Sequence, residues 1–124
     1  MKYQKLKIIF GFLIAILIFA FLFLIFRDDN AQAGTLDDFA KCLTDKNVTM
    51  YGAAWCSHCQ NQKNLFGEAF TYINYVECPN DPQKCLVAGI ESYPTWLMPN
   101  KEKLAGEQKL QTLSEKTECE LPKK

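Results

Sequence analysis

Two cysteines separated by two residues, Cys56 and Cys59, stand where the residue pattern changes from strand to helix. Before them, Val48-Thr49-Met50-Tyr51-Gly52-Ala53 is a short, mostly apolar run that predicts a buried strand over 48–53. After them, Leu65, Phe66, Ala69 and Phe70 recur at helical spacing and predict a helix over 57–71. The pair therefore falls at a helix N-terminus, where unpaired N–H groups and the helix dipole favour negative charge. A Cys56 thiolate is expected there. His58 is the single histidine of the chain and lies between the two cysteines; as imidazolium it would be a second source of thiolate stabilisation. Cys56 is expected to attack and Cys59, one turn in, to resolve. The competing use of such a pair is half of a zinc site, with Cys78 and Cys85 as further ligands. Six residues lie between those two, beyond the usual two to four, and no second Cys-x-x-Cys exists, so no metal is expected.

The N-terminus carries a different signal. Residues 1–7 hold three lysines, and Ile8 to Phe26 is an uncharged apolar run. Nineteen helical residues span roughly 28 Å, close to the hydrocarbon thickness of a bilayer. The reading is a cytoplasmic basic segment (1–7), a transmembrane signal-anchor helix (8–26), a polar linker (27–34) and a folded domain (35–121) held outside the cytoplasm. The alternative is a cleaved signal peptide with Ala31-Gln32-Ala33 as its processing site. The apolar run is longer than such peptides use, and Arg27-Asp28-Asp29 separates it from that site. Either way the remainder is exported. Six cysteines in 124 residues suit an oxidising compartment. A formal charge of zero gives no reason to expect a nucleic-acid partner.

Within the domain, Thr35 reads as the N-cap of a helix to Lys46, with Asp37 and Asp38 in its first turn and Asn47 ending it. Ile73 to Glu77 reads as a second strand. Cys78-Pro79-Asn80-Asp81-Pro82 reads as a loop because of its two prolines. Gln83 to Ala88 is a short helix stopped by Gly89. Residues 95–98 and 101–105 form a hairpin turning at Pro99-Asn100, and 108–117 is a last helix. The expected fold class is α/β, in the order α-β-α-β-α-β-β-α. The 48–53 and 73–77 strands are parallel and the hairpin extends their sheet.

Strand, Trp55-Cys56-x-x-Cys59, helix, then Tyr93-Pro94-Thr95 resembles the thioredoxin family. The runs Met50-Tyr51-Gly52 to Trp55-Cys56, Cys59-Gln60, Leu65-Phe66-Gly67-Glu68-Ala69, Tyr75-Val76-Glu77-Cys78, Ala88-Gly89-Ile90 and Ser92-Tyr93-Pro94-Thr95-Trp96 are similar to one branch in particular. That branch is the thioredoxin-like domain fused to bacterial and plant homologues of vitamin K epoxide reductase. The multi-helix membrane domain of those fusions does not occur in this sequence. The resemblance implies a minimal thioredoxin-like fold lacking its first strand, preceded here by one transmembrane helix. It implies a cis Pro94 beside the cysteine pair, Tyr93 offering backbone hydrogen bonds to an extended substrate, and Trp55 shielding the site. The Cys-Ser-His-Cys sequence resembles that of the oxidising members. One departure stands out. Many thioredoxins carry a buried acid six residues before the first cysteine, and here that position is Met50. This leaves the proton acceptor for Cys59 open, with Glu77 as a weak candidate.

Cys42, Cys78, Cys85 and Cys119 allow three pairings. Cys78 and Cys85 flank a Pro-rich loop and suit a local bridge; Cys42 and Cys119 would then tie the ends of the domain, worth roughly 4 kcal/mol in the chain-entropy model. A second redox pair at Cys78–Cys85, relaying electrons, is the alternative to a structural bridge. The functional expectation is a membrane-anchored, extracytoplasmic thiol–disulfide oxidoreductase with no cofactor beyond its Cys56–Cys59 disulfide. It would oxidise thiols of exported proteins and be regenerated by a quinone-linked membrane protein resembling vitamin K epoxide reductase. A reductase fed by a membrane relay, or a non-enzymatic surface binding module stabilised by disulfides or zinc, are the alternatives.

Overall fold

The computed structural model describes residues 2–25 and 35–123. They fall into two separate compact units. The first carries a single helix, α1 (Lys2–Ile25). Its stretch Tyr3–Leu22 is long and apolar enough to cross a membrane, and none of it is buried. The helix takes in the basic residues as well as the apolar run. Phe26, the 27–34 linker and the Ala31-Gln32-Ala33 motif lie outside the described residues.

The second unit begins with α2 (Leu36–Asp45). Thr35 caps it by accepting the Asp38 N–H, while the Asp38 carboxylate accepts the Thr35 N–H in return. Asn47 ends the turn at φ 59°, a conformation asparagine tolerates. The chain then enters β1 (Thr49–Gly52). Next come α3 (Ser57–Phe66) and a 3₁₀ helix (Gly67–Tyr72), so the helix expected over 57–71 is broken in two. The break is at Gly67, which ends α3 at φ 55° and ψ −132°, a conformation that needs a residue without Cβ. The apolar spacing runs unbroken across both pieces, which is why periodicity joins them.

β2 (Asn74–Glu77) follows, then α4 (Pro82–Val87). The loop expected over 78–82 holds through Asp81, and the short helix expected after it begins one residue early. Pro82 opens α4 at its first turn, where the missing N–H costs nothing, and Asp81 caps it by accepting the Lys84 N–H. β3 (Thr95–Leu97) and β4 (Lys103–Ala105) form the hairpin, and α5 (Leu110–Thr117) closes the unit, starting two residues later than expected.

The four strands form one sheet in the order β2-β1-β3-β4. β1 pairs parallel with β2, with Met50 opposite Tyr75 and Gly52 opposite Glu77. β1 pairs antiparallel with β3, with Met50 opposite Trp96. The element order α-β-α-β-α-β-β-α and the mixed four-stranded sheet are those expected for residues 35–121. Alternation along the strands sends residues to opposite faces. Met50 and Trp96 enter the main core with Phe39, Leu43, Phe66 and Leu113, whereas Tyr51 enters a smaller cluster with Cys78 and Cys85. Phe66 stacks on Phe39 at 6.0 Å and leans on Trp96 at 5.8 Å, so the end of α3 is pinned to both α2 and the sheet. The C-terminal end of β1, and with it the start of α3, is thereby held against a packed core.

Candidate active site

β1 delivers the chain to the cysteine pair through Ala53-Ala54-Trp55. Two bonds hold this link: the Ala54 N–H donates to Glu77 Oε1 at 2.7 Å, and the Gln60 side-chain amide donates to the Ala54 carbonyl at 2.8 Å. Cys56 is the N-cap residue of α3, and its Sγ accepts the Cys59 N–H at 3.2 Å. A sulfur thus takes the place an oxygen has in ordinary N-caps. Cys56 keeps 8% of its surface exposed and Cys59 none. Both are free thiols, so the structure is the dithiol form. Only Cys56 can meet a partner.

Burial, followed by the hydrogen bond with Cys56, pushes the Cys59 thiol from an ordinary value of 9.0 to about 11; the Ala53 N–H and the Lys63 charge act weakly the other way. At neutral pH such a thiol is ionised roughly once in ten thousand molecules. Cys59 therefore needs its proton taken away before it can attack.

Trp55 is 75% exposed and meets Tyr93 edge-on at 6.1 Å. The Tyr93–Pro94 peptide bond is cis, Pro94 is buried and its carbonyl accepts the Gly106 N–H at 2.7 Å. Trp55 and Tyr93 thus flank one another, with Trp55 the immediate neighbour of Cys56 in the chain.

His58 sits on the exposed side of α3. Its Nδ1 lies 2.6 Å from Glu107 Oε1, which also accepts from the Asn61 amide at 3.2 Å. The His58 bond holds the Glu107 carboxyl below the usual carboxylate range, with Asn61 adding to it. Among the hydrogen bonds of the described residues, His58 contacts neither cysteine, so any action on Cys56 is through charge. Glu107 is a site neighbour that sequence reasoning missed. It is positioned by Gln62, which is fully buried and bonds both ways to the Gln108 backbone: Oε1 accepts its N–H at 2.6 Å and Nε2 donates to its carbonyl at 3.0 Å. Forty-six residues separate Gln62 from Gln108, and no local pattern announces the contact.

Tyr75 was also missed as a site residue. Its hydroxyl donates to Glu77 Oε2 at 2.6 Å. Burial, then the Glu77 bond and charge, raise its phenol well above the ordinary tyrosine range. Met50 is buried in the centre of β1 as part of the core.

Cys42 is bonded to Cys119 and Cys78 to Cys85. The zinc reading loses two of its four ligands to the second bridge. Cys78 is 2% and Cys85 4% exposed, which leaves no open sulfur for a relay partner and favours a structural bridge.

No family model matches the chain. It is 46% identical over 87 residues to the thiol-disulfide oxidoreductase LTO1 of Arabidopsis thaliana, a match covering 63% of this chain and 23% of that protein. The chain thus spans less than a quarter of that relative's length. Among solved structures, thioredoxin NaTrxh from Nicotiana alata is similar with a TM-score of 0.47 and 17% identity, over 59% of this chain and 71% of the other. Fasciola hepatica thioredoxin is similar with a TM-score of 0.44 and 15% identity, over 71% of this chain and 97% of the other.

Proposed function

We propose that the chain is a membrane-anchored thiol–disulfide oxidoreductase whose 35–121 domain works outside the cytoplasm. It oxidises thiols of exported proteins and is itself reoxidised by a quinone-linked membrane protein resembling vitamin K epoxide reductase. The observation that carries the reading is the asymmetry of the dithiol: one sulfur at the surface on a helix N-cap, the other wholly buried one turn in. A substrate thiolate attacks Cys56 Sγ of the disulfide, the Cys56–Cys59 bond breaks, and Cys59 leaves and is protonated. The second substrate thiolate then attacks the substrate sulfur and releases Cys56, whose Sγ retains the Cys59 N–H as partner. Trp55, Tyr93 and the cis Pro94 border the approach, and His58 contributes its charge from the exposed flank. The likeness to a thiol-disulfide oxidoreductase supports the chemistry, and α1 supports the anchor. Sulfur chemistry of this kind needs no cofactor beyond the disulfide itself.

The test is trapping in cells. Cys59→Ala leaves Cys56 able to form mixed disulfides that cannot resolve internally, so it should accumulate adducts released by reductant. Cys56→Ala should accumulate none. Adducts on Cys56→Ala and none on Cys59→Ala would reverse the roles and remove the proposal. The reduction potential of the pair decides direction: a value near the thioredoxin range of about −270 mV would make the protein a reductase instead.

A further inference from the structure

We propose that Tyr75 and Glu77 form the proton path of the resolving cysteine, the phenol taking the Cys59 proton while handing its own to the Glu77 carboxylate. The inference rests on the oxidoreductase reading above and assigns to β2 a part of that chemistry.

The geometry starts at Gly52. A methyl group added there would sit 2.9 Å from Cys59 Sγ and 3.2 Å from both Cε2 and the hydroxyl oxygen of Tyr75. Sulfur and phenol therefore converge on one bare spot of the β1 backbone, close enough for a proton to pass through one bridging water. Strand register brings them together, since Gly52 pairs with Glu77 and Met50 with Tyr75. From the hydroxyl the path continues 2.6 Å to Glu77 Oε2. The other Glu77 oxygen is fixed by the Ala54 N–H, so the carboxylate is aimed and cannot turn away. Met50, on β1 itself, offers no base. The charged and titratable groups that bear on this cluster are Cys56 from the N-cap of α3, Lys63 from α3, and Glu77 from β2. The Lys63 ammonium stands 4.0 Å from the Tyr75 ring centroid, where it steadies the ring and any negative charge arising beneath it. The raised phenol is consistent with a relay that stays protonated between transfers and lets Glu77 hold the proton.

The step balances as follows. With Cys56 joined to a partner sulfur, Cys59–SH gives its proton to the Tyr75 oxygen as the Tyr75 proton moves to Glu77. The Cys59 electron pair attacks Cys56 Sγ, the Cys56–Cys59 bond forms, and the partner leaves as thiolate. In the opposite direction Glu77 returns the proton through Tyr75 to the departing Cys59.

Stopped-flow mixing of the reduced full chain in detergent with dithiobis-nitrobenzoate separates the two sulfurs. A first phase, dependent on reagent, joins Cys56 to one aryl thiol and releases the other. A second phase, independent of reagent, is resolution by Cys59. Glu77→Gln keeps an oxygen for the Ala54 N–H, and Tyr75→Phe keeps the ring beside Lys63. Each should slow the second phase about tenfold or more at pH 7, with the deficit closing as pH approaches the range where Cys59 ionises unaided. Glu77→Asp should recover part of the rate. A second phase within twofold of the unaltered protein in both variants overturns the path and leaves the oxidoreductase reading intact. So does an equal slowing at every pH, which would mark a merely structural role. If the unaltered protein shows no first phase, the oxidoreductase reading itself fails.

Discussion

The two bridges close loops of very different length, and this difference can be weighed. Cys42 and Cys119 are separated by 77 residues, Cys78 and Cys85 by 7. In the chain-entropy model the cost of leaving the loop open in the unfolded chain grows with the logarithm of loop length, giving about 4.5 kcal/mol for the long loop and about 2.4 kcal/mol for the short one at 25 °C. A domain of this size is stable by only about 4–13 kcal/mol, so the first bridge is a large share of the whole. Replacing both partners by alanine in turn, Cys42→Ala with Cys119→Ala and Cys78→Ala with Cys85→Ala, removes the same atoms from sites that are all buried except the partly buried Cys42. The packing losses should nearly cancel, leaving a difference of about 2 kcal/mol. With a urea slope of roughly 1–2 kcal/mol per molar, the long-loop variant should unfold about 1–2 M earlier than the short-loop variant. Urea titration of the full chain in mild detergent, followed by fluorescence of buried Trp96, measures both midpoints. Equal midpoints, or an earlier one for the Cys78/Cys85 variant, would refute the reasoning and place the stabilisation in native contacts.

Gly52→Ala should cost about 1–3 kcal/mol by overpacking against Cys59 and Tyr75; an unchanged urea midpoint would show that the bare spot is not needed. Reduced protein should lose stability relative to oxidised protein as pH rises from about 9 to about 11. The sign follows from the raised Cys59 value: the folded dithiol holds its proton more tightly than the unfolded one, so its contribution is complete below the unfolded value and lost through the folded value. The full effect is about 2–3 kcal/mol, absent from the disulfide form, and melts of both forms across that range should diverge accordingly. A reporter active only outside the cytoplasm, fused after Lys124, should be active and sediment with membranes; an inactive fusion recovered in the soluble cytoplasmic fraction would remove the anchor and the export claim together.

What was legible in the sequence was local. The strand run 48–53, the helix start at the cysteines and the Thr35 N-cap depend on neighbours within four residues, and each lies within a residue of where the sequence puts it. The parallel pairing of β1 with β2 followed from element order, because few topologies join such pieces. The misplaced boundaries have named causes. Apolar spacing is blind to the backbone of Gly67, and a proline reads as a breaker unless its place in the first turn is known, as at Pro82. Glu107 and Gln62 were invisible for a different reason: their partners, His58 and Gln108, lie 49 and 46 residues away in sequence, and a single glutamate or glutamine in an exposed-looking stretch carries no signal. Tyr75 read as a strand residue because a tyrosine in a strand usually is one. Only the register against Gly52 sets its hydroxyl beside a sulfur.

The N-cap of α3 has a thermodynamic consequence. Cys56 Sγ is at once the cap of a helix and one half of a redox couple. A thiolate accepts the Cys59 N–H better than a disulfide sulfur does, so helix stability and redox state are linked functions. The difference in unfolding free energy between the reduced and oxidised protein must equal twice the Faraday constant times the difference in potential between the folded pair and the same pair in an unfolded chain. Any residue that tightens the first turn of α3 around the reduced sulfur, however far from the substrate, therefore raises the oxidising strength of the protein. Selection acting on that turn for stability acts on electron transfer as well.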